Sequence, residues 1–431
     1  MGLGGRLYSF VVEQKCIPWS VSNRLSRWIE RDSRERLPAL YQFLHFRRLR
    51  EVVRPVTFGP KHHFFGYYDK CPWNASGRLI LAHEVGFNDR PPSAIDSATV
   101  GVIRLDHDCQ FEPLATTLAW NWQQGSMLQW HPADPERLFV HNERRNNQLV
   151  SVVRNCNGTE LRTYDLPIYA LTPNGRYALS LNFARLHKHR PGYGYAGVED
   201  TWSDNYHPHD DGIRLMDLES GTSTLIVSLD QLAHFNPTDD MAGVPHWVNH
   251  IQVCPDGQRF AFFHLWRAGE KSWHVRLFVV ELDGSELTCV IDATAISHYD
   301  WLDNESILVW ANIRPTGSGF FLCNRATGAR TVVGKGVLTE DGHCSYSPDR
   351  RWILNDTYPD QYDMRTLMLF RPQDGNRRDI ARLHSPKARW WGETRCDLHP
   401  RWNRDGAQVC IDSVHSGERQ MYIADVSRYL A

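Results

Sequence analysis

The sequence predicts an all-β fold, a seven-bladed β-propeller with a short α-helical N-terminal arm. Three observations lead to this prediction. One hairpin pattern occurs seven times after residue 60, and the copies are separated by roughly the length of a four-stranded blade. The first 52 residues lack the pattern and instead show apolar residues at helical spacing.

Each copy of the pattern has an aromatic or aliphatic anchor residue, then a tight turn, then an apolar run. Turn centres such as Pro-Asp-Gly at 255–257 contain residues that accept turn geometry, and the flanking runs alternate as strands do. Each copy therefore predicts the two inner strands of one blade, and seven copies predict seven blades around a channel. The anchor residues are Trp73, Trp130, Leu171, Val253, Trp301, Tyr346 and Trp402.

The spacing of the anchors predicts where the regular pattern is interrupted. They are 41 to 57 residues apart, except for 82 residues between Leu171 and Val253. This long interval predicts an insertion at about 185–245 within a propeller that spans residues 53–431. Only 29 residues follow the last anchor, so we expect the closing blade to take an outer strand from residues 53–59.

Residues 1–52 form the predicted arm, which mixes apolar and basic residues at helical spacing. This pattern favours a helix packed on the propeller, with contact to a membrane surface or a partner as the alternative. The formal net charge of -2 gives no indication of a nucleic-acid partner. Ten cysteines without paired spacing, and the lack of a signal-like apolar stretch at the start, predict a cytoplasmic protein.

Histidine occurs three residues before the anchor in four consecutive copies: His250, His298, His343 and His399. Equivalent strands surround the channel, so we expect these imidazoles to lie near one mouth, where they could bind a borderline divalent ion. We predict a manganese or zinc site. Its predicted ligands are His250, His264, His343 and His399, with Cys344, Cys396 and Asp397 as nearby substitutes.

A second set of polar and aromatic residues comes from the stretch before blade 1, which contains Tyr67 and Tyr68, and from blades 2 and 3 and the insertion. Arginine binds a carboxylate with a planar fork of two N–H groups, and tyrosine or histidine can transfer a proton. We therefore predict a catalytic group in this region, although each member could instead pack between blades or form a local ion pair. The predicted residues are Arg144, Arg185, Tyr193, Tyr195 and His207.

Four segments carry a resemblance to a known family: HHFFGYYDKCPW at 62–73, LNFARLHKHRPGYGY at 181–195, DGHCSYSPDRRWILNDTYPD at 341–360 and ETRCDLHPRWNRDG at 393–406. They resemble the seven-bladed propeller polysaccharide lyases, which include oligogalacturonate lyases and ulvan lyases. The resemblance covers roughly residues 55–428.

The resemblance implies β-elimination on an acidic oligosaccharide. In that reaction a base removes the C5 proton of a uronate whose carboxylate is neutralised by a metal ion or arginine. The resemblance implies metal ligands at His343 and His399. We expect Arg185 or Arg144 to neutralise the carboxylate, and Tyr193, Tyr195 or His207 to move protons.

Two glutamines depart from the pattern that the resemblance implies. Gln123 and Gln124 stand shortly before blade 2, where we expect a catalytic histidine. Two functions therefore stay open at this point. One is a metal-containing lyase that cleaves uronate-containing oligosaccharides, and the other is a non-catalytic propeller that binds a glycan or a protein at the same mouth.

Overall fold

The computed structural model describes residues 52–269, 272–293 and 295–430. The predicted helical arm at 1–52 lies outside these residues apart from Val52, so it stays a prediction. Within the described ranges, 28 strands form seven four-stranded antiparallel sheets. The predicted all-β fold with seven blades is confirmed.

The strands are numbered in chain order, and the first six blades each use four consecutive strands. Blades 1 and 2 consist of β2 (His62–Phe64), β3 (Leu79–Val85), β4 (Ala98–Arg104), β5 (Gln110–Thr117), β6 (Gln129–Trp130), β7 (Leu138–Arg145), β8 (Gln148–Asn155) and β9 (Glu160–Tyr164). Blades 3 and 4 consist of β10 (Ala170–Leu171), β11 (Tyr177–Ser180), β12 (Gly212–Asp217), β13 (Ser223–Ser228), β14 (His246–Val253), β15 (Arg259–Arg267), β16 (Trp273–Glu281) and β17 (Thr288–Ala293). Blades 5 and 6 consist of β18 (Ile296–Trp301), β19 (Ser306–Ile313), β20 (Gly317–Asn324), β21 (Arg330–Val333), β22 (Ser345–Tyr346), β23 (Ile353–Asp356), β24 (Met364–Arg371) and β25 (Asn376–His384).

Blade 7 joins the two ends of the propeller. It contains β26 (Arg401–Trp402), β27 (Gln408–Ser413), β28 (Gln420–Asp425) and, as the outermost strand, β1 (Val53–Pro55). β1 runs antiparallel to β28, with Val53 opposite Ala424. The predicted closure of the ring by residues near 53–59 is confirmed.

Neighbouring blades pack face to face, with the anchor residues in the layers between them. Trp73 and Trp130 are 1% and 5% exposed and share one buried cluster with Leu81 and Phe139. β3 is buried at all but one of its positions. Strands covered on both faces lose the polar alternation of a half-exposed strand, which explains the apolar runs in the sequence.

Blade 3 carries the extra residues, but the segment at 185–245 is not one continuous insertion. The connection from β11 to β12 contains helix α1 (Phe183–His189), whose first turn is capped by the side chain of Asn182. β12 and β13 then complete the sheet of blade 3. The segment predicted as one insertion therefore contains two separate connections, with strands β12 and β13 of the blade between them.

A second connection of this segment links blades 3 and 4. It contains helix α2 (Leu229–His234), capped by Ser228, and a 3₁₀ turn (Asp239–Met241). In the described part of the chain, neither helix has the length and apolar character needed to cross a bilayer. Both connections cover the blade 3 and blade 4 side of the propeller.

Candidate functional site

The inner strands bring imidazole and phenol groups together around Tyr67. This residue lies in the stretch between β2 and Trp73, where the inner strand of blade 1 is interrupted. The ring centroids of His399, His250 and His343 are 5.0, 5.2 and 6.1 Å from the ring centroid of Tyr67. Three of the four predicted metal ligands are therefore neighbours in the structure.

The backbone before the anchors helps to explain how these side chains reach the channel. His250 and His399 have φ angles of 55° and 42°, in the left-handed region that non-glycine residues rarely adopt. In β14 the pairing with β15 shifts between Asn249 and Gln252. A bulge of this kind changes the direction of a side chain relative to its strand, so His250 leaves the regular alternation.

His343, Asp397 and His399 form the group with the best donor geometry in the channel. One nitrogen or oxygen atom from each lies within 4.8 Å of the other two. His343 Nδ1 is 2.9 Å from Asp356 Oδ1, and this bond orients the imidazole as carboxylate partners of metal-bound histidines do. Asp397, which the sequence offers as a substitute ligand, therefore lies with His343 and His399 in the structure.

The same group contains buried nitrogen atoms without partners. Within the described residues, Nε2 of His343 and Nε2 of His399 make no hydrogen bond although both are buried. Buried polar atoms in folded proteins nearly always have a partner. Two free imidazole nitrogens next to a carboxylate therefore fit a divalent metal ion.

Two arginines keep Asp397 ionised. Arg395 Nε is 2.6 Å from Asp397 Oδ2, and Arg365 Nη2 is 2.7 Å from Asp397 Oδ1. Burial acts to raise the pKa of Asp397, but the two guanidinium groups hold it well below its usual range. Asp397 is therefore an anionic carboxylate near neutral pH.

Tyr67 and His250 form a short hydrogen bond, with 2.5 Å between Tyr67 Oη and His250 Nε2. Desolvation in the packed channel lowers the pKa of His250 well below its usual value and raises the pKa of Tyr67. Both groups are therefore neutral, so the phenol donates and the imidazole accepts. The bond fixes the position of the phenol oxygen, and both pKa shifts keep the phenolic proton on Tyr67 in the substrate-free protein.

Arg395 also connects Asp397 with Tyr193. Its Nη2 donates to Tyr193 Oη over 2.7 Å, and its Nη1 donates to the carbonyl oxygen of Gly392 over 3.1 Å. With the bond to Asp397, three of the five N–H groups of Arg395 have partners among the described residues. Two N–H groups stay available for a ligand.

Solved structures with a similar fold include an oligogalacturonate lyase from Vibrio parahaemolyticus. It aligns with a TM-score of 0.61 and 15% identity over 87% of this chain and 93% of that chain. The chain has the fold of oligogalacturonate lyase. A second structure, an oligogalacturonate lyase in complex with manganese, aligns with a TM-score of 0.61 and 15% identity over 86% of this chain and 92% of that chain. No family model and no curated protein matches the sequence.

In this oligogalacturonate lyase fold, Arg185 does not face a substrate site. Its side chain is 2% exposed, and its five N–H groups all have partners. The acceptors are the carbonyl oxygens of Trp202, Asn205, Tyr206 and His246 and the carboxylate of Asp200. Arg185 therefore ties α1 to the connection that follows it, rather than neutralising a sugar carboxylate.

Arg144 and Tyr195 also have structural partners. Arg144 donates to the carbonyl oxygens of Ala94 and Ala196. Tyr195 stacks on Phe183 with a centroid distance of 4.4 Å, and its hydroxyl accepts a hydrogen bond from Asn142. Of the five predicted catalytic residues, only Tyr193 contacts the histidine cluster, with its ring 5.6 Å from that of His250.

Two predicted histidines lie apart from this cluster. His264 Nε2 is 2.9 Å from His246 Nδ1 in a buried pair on β14 and β15. His207 Nδ1 is 3.1 Å from Asp230 Oδ1, next to α2. Neither residue joins the channel group with Tyr67.

Four residues of the cluster are not among the predicted metal ligands or the predicted catalytic residues. His298 lies 4.0 Å from His343 by ring centroids, and Tyr358 lies 5.9 Å from His343. Tyr67 and Arg395 were present in the segments that carry the family resemblance. For Arg395 a sequence signal exists, because it stands two and four residues before Asp397 and His399 in the same short segment.

Gln123 and Gln124 have structural roles at the place where a catalytic histidine was expected. Gln123 Nε2 donates to the carbonyl oxygens of Glu393 and Arg395 over 3.2 and 3.1 Å. Gln124 Nε2 donates to Tyr169 Oη over 2.7 Å. Gln123 therefore holds the backbone of the segment that carries Arg395.

Proposed function

We propose that this protein is a metal-containing carbohydrate-active enzyme, a lyase that cleaves uronate-containing oligosaccharides by β-elimination. The observation that carries the proposal is the group of His343, Asp397 and His399, with its two unpartnered buried nitrogens, beside the Tyr67–His250 pair. The oligogalacturonate lyase fold supports the same chemistry.

β-Elimination requires positive charge next to the uronate carboxylate. The C5–H bond breaks, its electron pair forms the C4–C5 double bond, and the C4–O bond breaks as the leaving oxygen takes a proton. Arg395 has two N–H groups available to bind the carboxylate as a planar fork. This charge stabilises the anion that develops when the C5 proton leaves.

His343, Asp397 and His399 would hold a divalent ion, which would supply further positive charge at the carboxylate. Two nitrogen donors and one carboxylate oxygen, with positions left for water and substrate, suit manganese, and zinc accepts the same donors. The manganese complex of an oligogalacturonate lyase supports a divalent ion in this fold. His399, Asp397 and Arg395 come from one short segment, so the ion and the carboxylate site would adjoin.

Tyr67 and Tyr193 are the proton-transfer groups in this proposal. Tyr67 would remove the C5 proton as its own phenolic proton moves to His250 across their 2.5 Å hydrogen bond, and positive charge held by His343, Asp397 and His399 beside the phenol would offset the raised pKa of Tyr67. Tyr193 donates a proton to the leaving oxygen, and its hydroxyl is held by Arg395. The substrate reaches this group where His250, Tyr358 and Arg395 are partly exposed.

The test uses the purified full chain with added manganese and three substrates: pectic, ulvan-type and rhamnose–glucuronate oligosaccharides. We expect at least one substrate to yield a product with the ultraviolet absorbance of a C4–C5 unsaturated uronate. Chelation should abolish the signal, and manganese should restore it. The His209→Gln variant should give the same product as the unmodified chain, since His209 is an exposed histidine paired with Asp210 outside the proposed site.

Absence of product from all three substrates, in a preparation that binds a metal ion, would reject the lyase proposal. It would favour the second candidate, a non-catalytic propeller that binds a glycan or protein at the same mouth. The specific observation in favour of that candidate is that Gln123 and Gln124 place amides, not proton-transfer groups, before blade 2. Saturable binding of an oligosaccharide without turnover would then identify the role of the site.

A further inference from the structure

A second group of potential metal ligands lies outside the channel, beside α2. His207, Asp230 and His234 each offer one nitrogen or oxygen atom, and these atoms all lie within 4.8 Å of one another. Asp230 and His234 are four residues apart on α2, which places them on one face of the helix. His207 belongs to the connection between β11 and β12, so the group joins two separate segments.

The geometry of the three side chains suits a bound ion. His207 Nδ1 is 3.1 Å from Asp230 Oδ1, and neighbouring ligand atoms around a tetrahedral zinc ion are about 3.3 Å apart. His234 Nδ1 is 2.9 Å from the main-chain oxygen of Asp230. The same nitrogen is 3.3 Å from Asp230 Oδ1, so both imidazoles approach one carboxylate oxygen.

The donor set selects a class of ion. Two imidazoles and one carboxylate suit zinc and its transition-metal neighbours, whereas calcium and magnesium prefer a shell of oxygen atoms. The side chains of His207, Asp230 and His234 are 36%, 42% and 68% exposed. An ion can therefore enter from solvent and keep water in its remaining positions.

We propose that His207, Asp230 and His234 form a second, solvent-accessible site for a divalent transition-metal ion of the zinc type. The ion fastens the connection from β11 to β12 onto α2. The same connection carries Tyr193, which bonds to Arg395, and Asp200, which pairs with Arg185. This site shares no residue with the channel group, so it does not depend on the proposed lyase activity.

The test is zinc titration of the full chain after removal of metals by a chelator. In a His399→Gln background, which disables the channel group, we expect one zinc ion to bind. Adding His207→Gln or His234→Gln should weaken that binding at least about tenfold. The matched control is His209→Gln, whose side chain is 75% exposed and paired with Asp210 and which should leave the affinity unchanged.

Thermal unfolding supplies a second readout. A ligand that binds only the folded chain raises its unfolding temperature, so zinc should stabilise the protein with the surface site intact and not the His207→Gln variant. Equal zinc affinity with and without His207 and His234, or an equal loss in His209→Gln, would overturn the proposal, as would calcium binding as tightly as zinc. If His399→Gln does not fold, native mass spectrometry of the otherwise unmodified chain should show one zinc ion fewer in His207→Gln, and an unchanged count would overturn the proposal.

Discussion

Arg185 and Arg395 carry the same guanidinium group but differ in the number of N–H groups that are already bonded. All five of those on Arg185 have acceptors, whereas three of those on Arg395 do. A guanidinium can bind a substrate carboxylate only through N–H groups that are free to turn to it. This difference gives Arg185 a structural role and leaves Arg395 with N–H groups that could bind the proposed substrate carboxylate.

For Arg395 we predict a large loss of activity without loss of fold. Arg395→Lys keeps the positive charge but removes the planar fork, so kcat/KM for the oligosaccharide should fall about 100-fold or more. The control is Arg389→Lys on the same segment, whose Nη1 donates to the carbonyl oxygen of Gly417 and whose guanidinium lies over the ring of Trp390. The initial rate of formation of the unsaturated product measures this loss. A wild-type rate in Arg395→Lys would show that Arg395 does not bind the substrate carboxylate.

For Arg185 we predict a loss of stability, because its side chain has a structural role. Arg185→Lys leaves several buried acceptors and the carboxylate of Asp200 without partners, so the free energy of unfolding should fall by about 3 kcal/mol. Denaturant unfolding measures this change. If stability stayed at the wild-type value while kcat collapsed, the role that the sequence suggested for Arg185 would be correct and the structural role would not.

Among the structural elements, β1 shows how the pairing of a short strand joins the two ends of the propeller. β1 has only three residues, but it completes blade 7 by pairing with β28. Its burial alternates, with Val53 buried and Arg54 exposed, as expected for an outer strand with one face on the core. Closure of the ring by this strand links residues near 54 to residues near 423, so its loss should weaken the whole propeller.

A charge placed on the buried face of β1 tests this closure. Val53 is 2% exposed and packs with the cluster that contains Tyr422. Val53→Asp should lower the free energy of unfolding by about 3 kcal/mol, because it removes apolar burial and introduces an unpaired charge. Arg54→Asp is the matched control on the next residue, and thermal unfolding of the two variants should differ clearly. Similar melting curves would show that β1 contributes little.

The inner strands also show why His264 was wrongly expected beside His250. In the register of blade 4, Val248 lies opposite His264, and the pairing shifts between Asn249 and Gln252. The shift takes His250 into a bulge with positive φ, so it reaches the channel group while His264 stays paired with His246. Residue spacing along a sequence shows two neighbouring strands but does not show a bulge in one of them.

At the scale of the whole molecule, several histidines are buried as neutral rings. His83 and His141 lie between blades, and burial, as the largest cause, lowers the pKa of each to about 3. In the unfolded chain these rings take up protons near pH 6.5. The unfolded state therefore binds more protons than the folded state below that pH, and stability falls from pH 6.5 downwards.

This linkage predicts acid sensitivity that is traceable to single residues. At pH 5 each such histidine should lower the free energy of unfolding by about 2 kcal/mol relative to pH 8. His83→Gln can keep an acceptor for Ser126, to which His83 Nε2 bonds over 2.8 Å, and should remove its share of the pH dependence. Denaturant unfolding of this variant and of His209→Gln at both pH values is the measurement. The same pH slope in wild type and His83→Gln would contradict the assignment.

The number of blades, the closing strand and the histidines around the channel can all be predicted from the amino-acid sequence alone. Each of these follows from local patterns, since a hairpin is encoded by its own turn and anchor and a repeat needs only its spacing. Which polar atoms already have hydrogen-bond partners, and which are free, is seen only in the folded chain. Tyr193 and Arg395 are 202 residues apart, and Gln123 donates to the main-chain oxygen of Arg395, 272 residues away along the chain. Hydrogen-bond partners are set by such distant contacts, so the identity of the site residues depends on the folded ring.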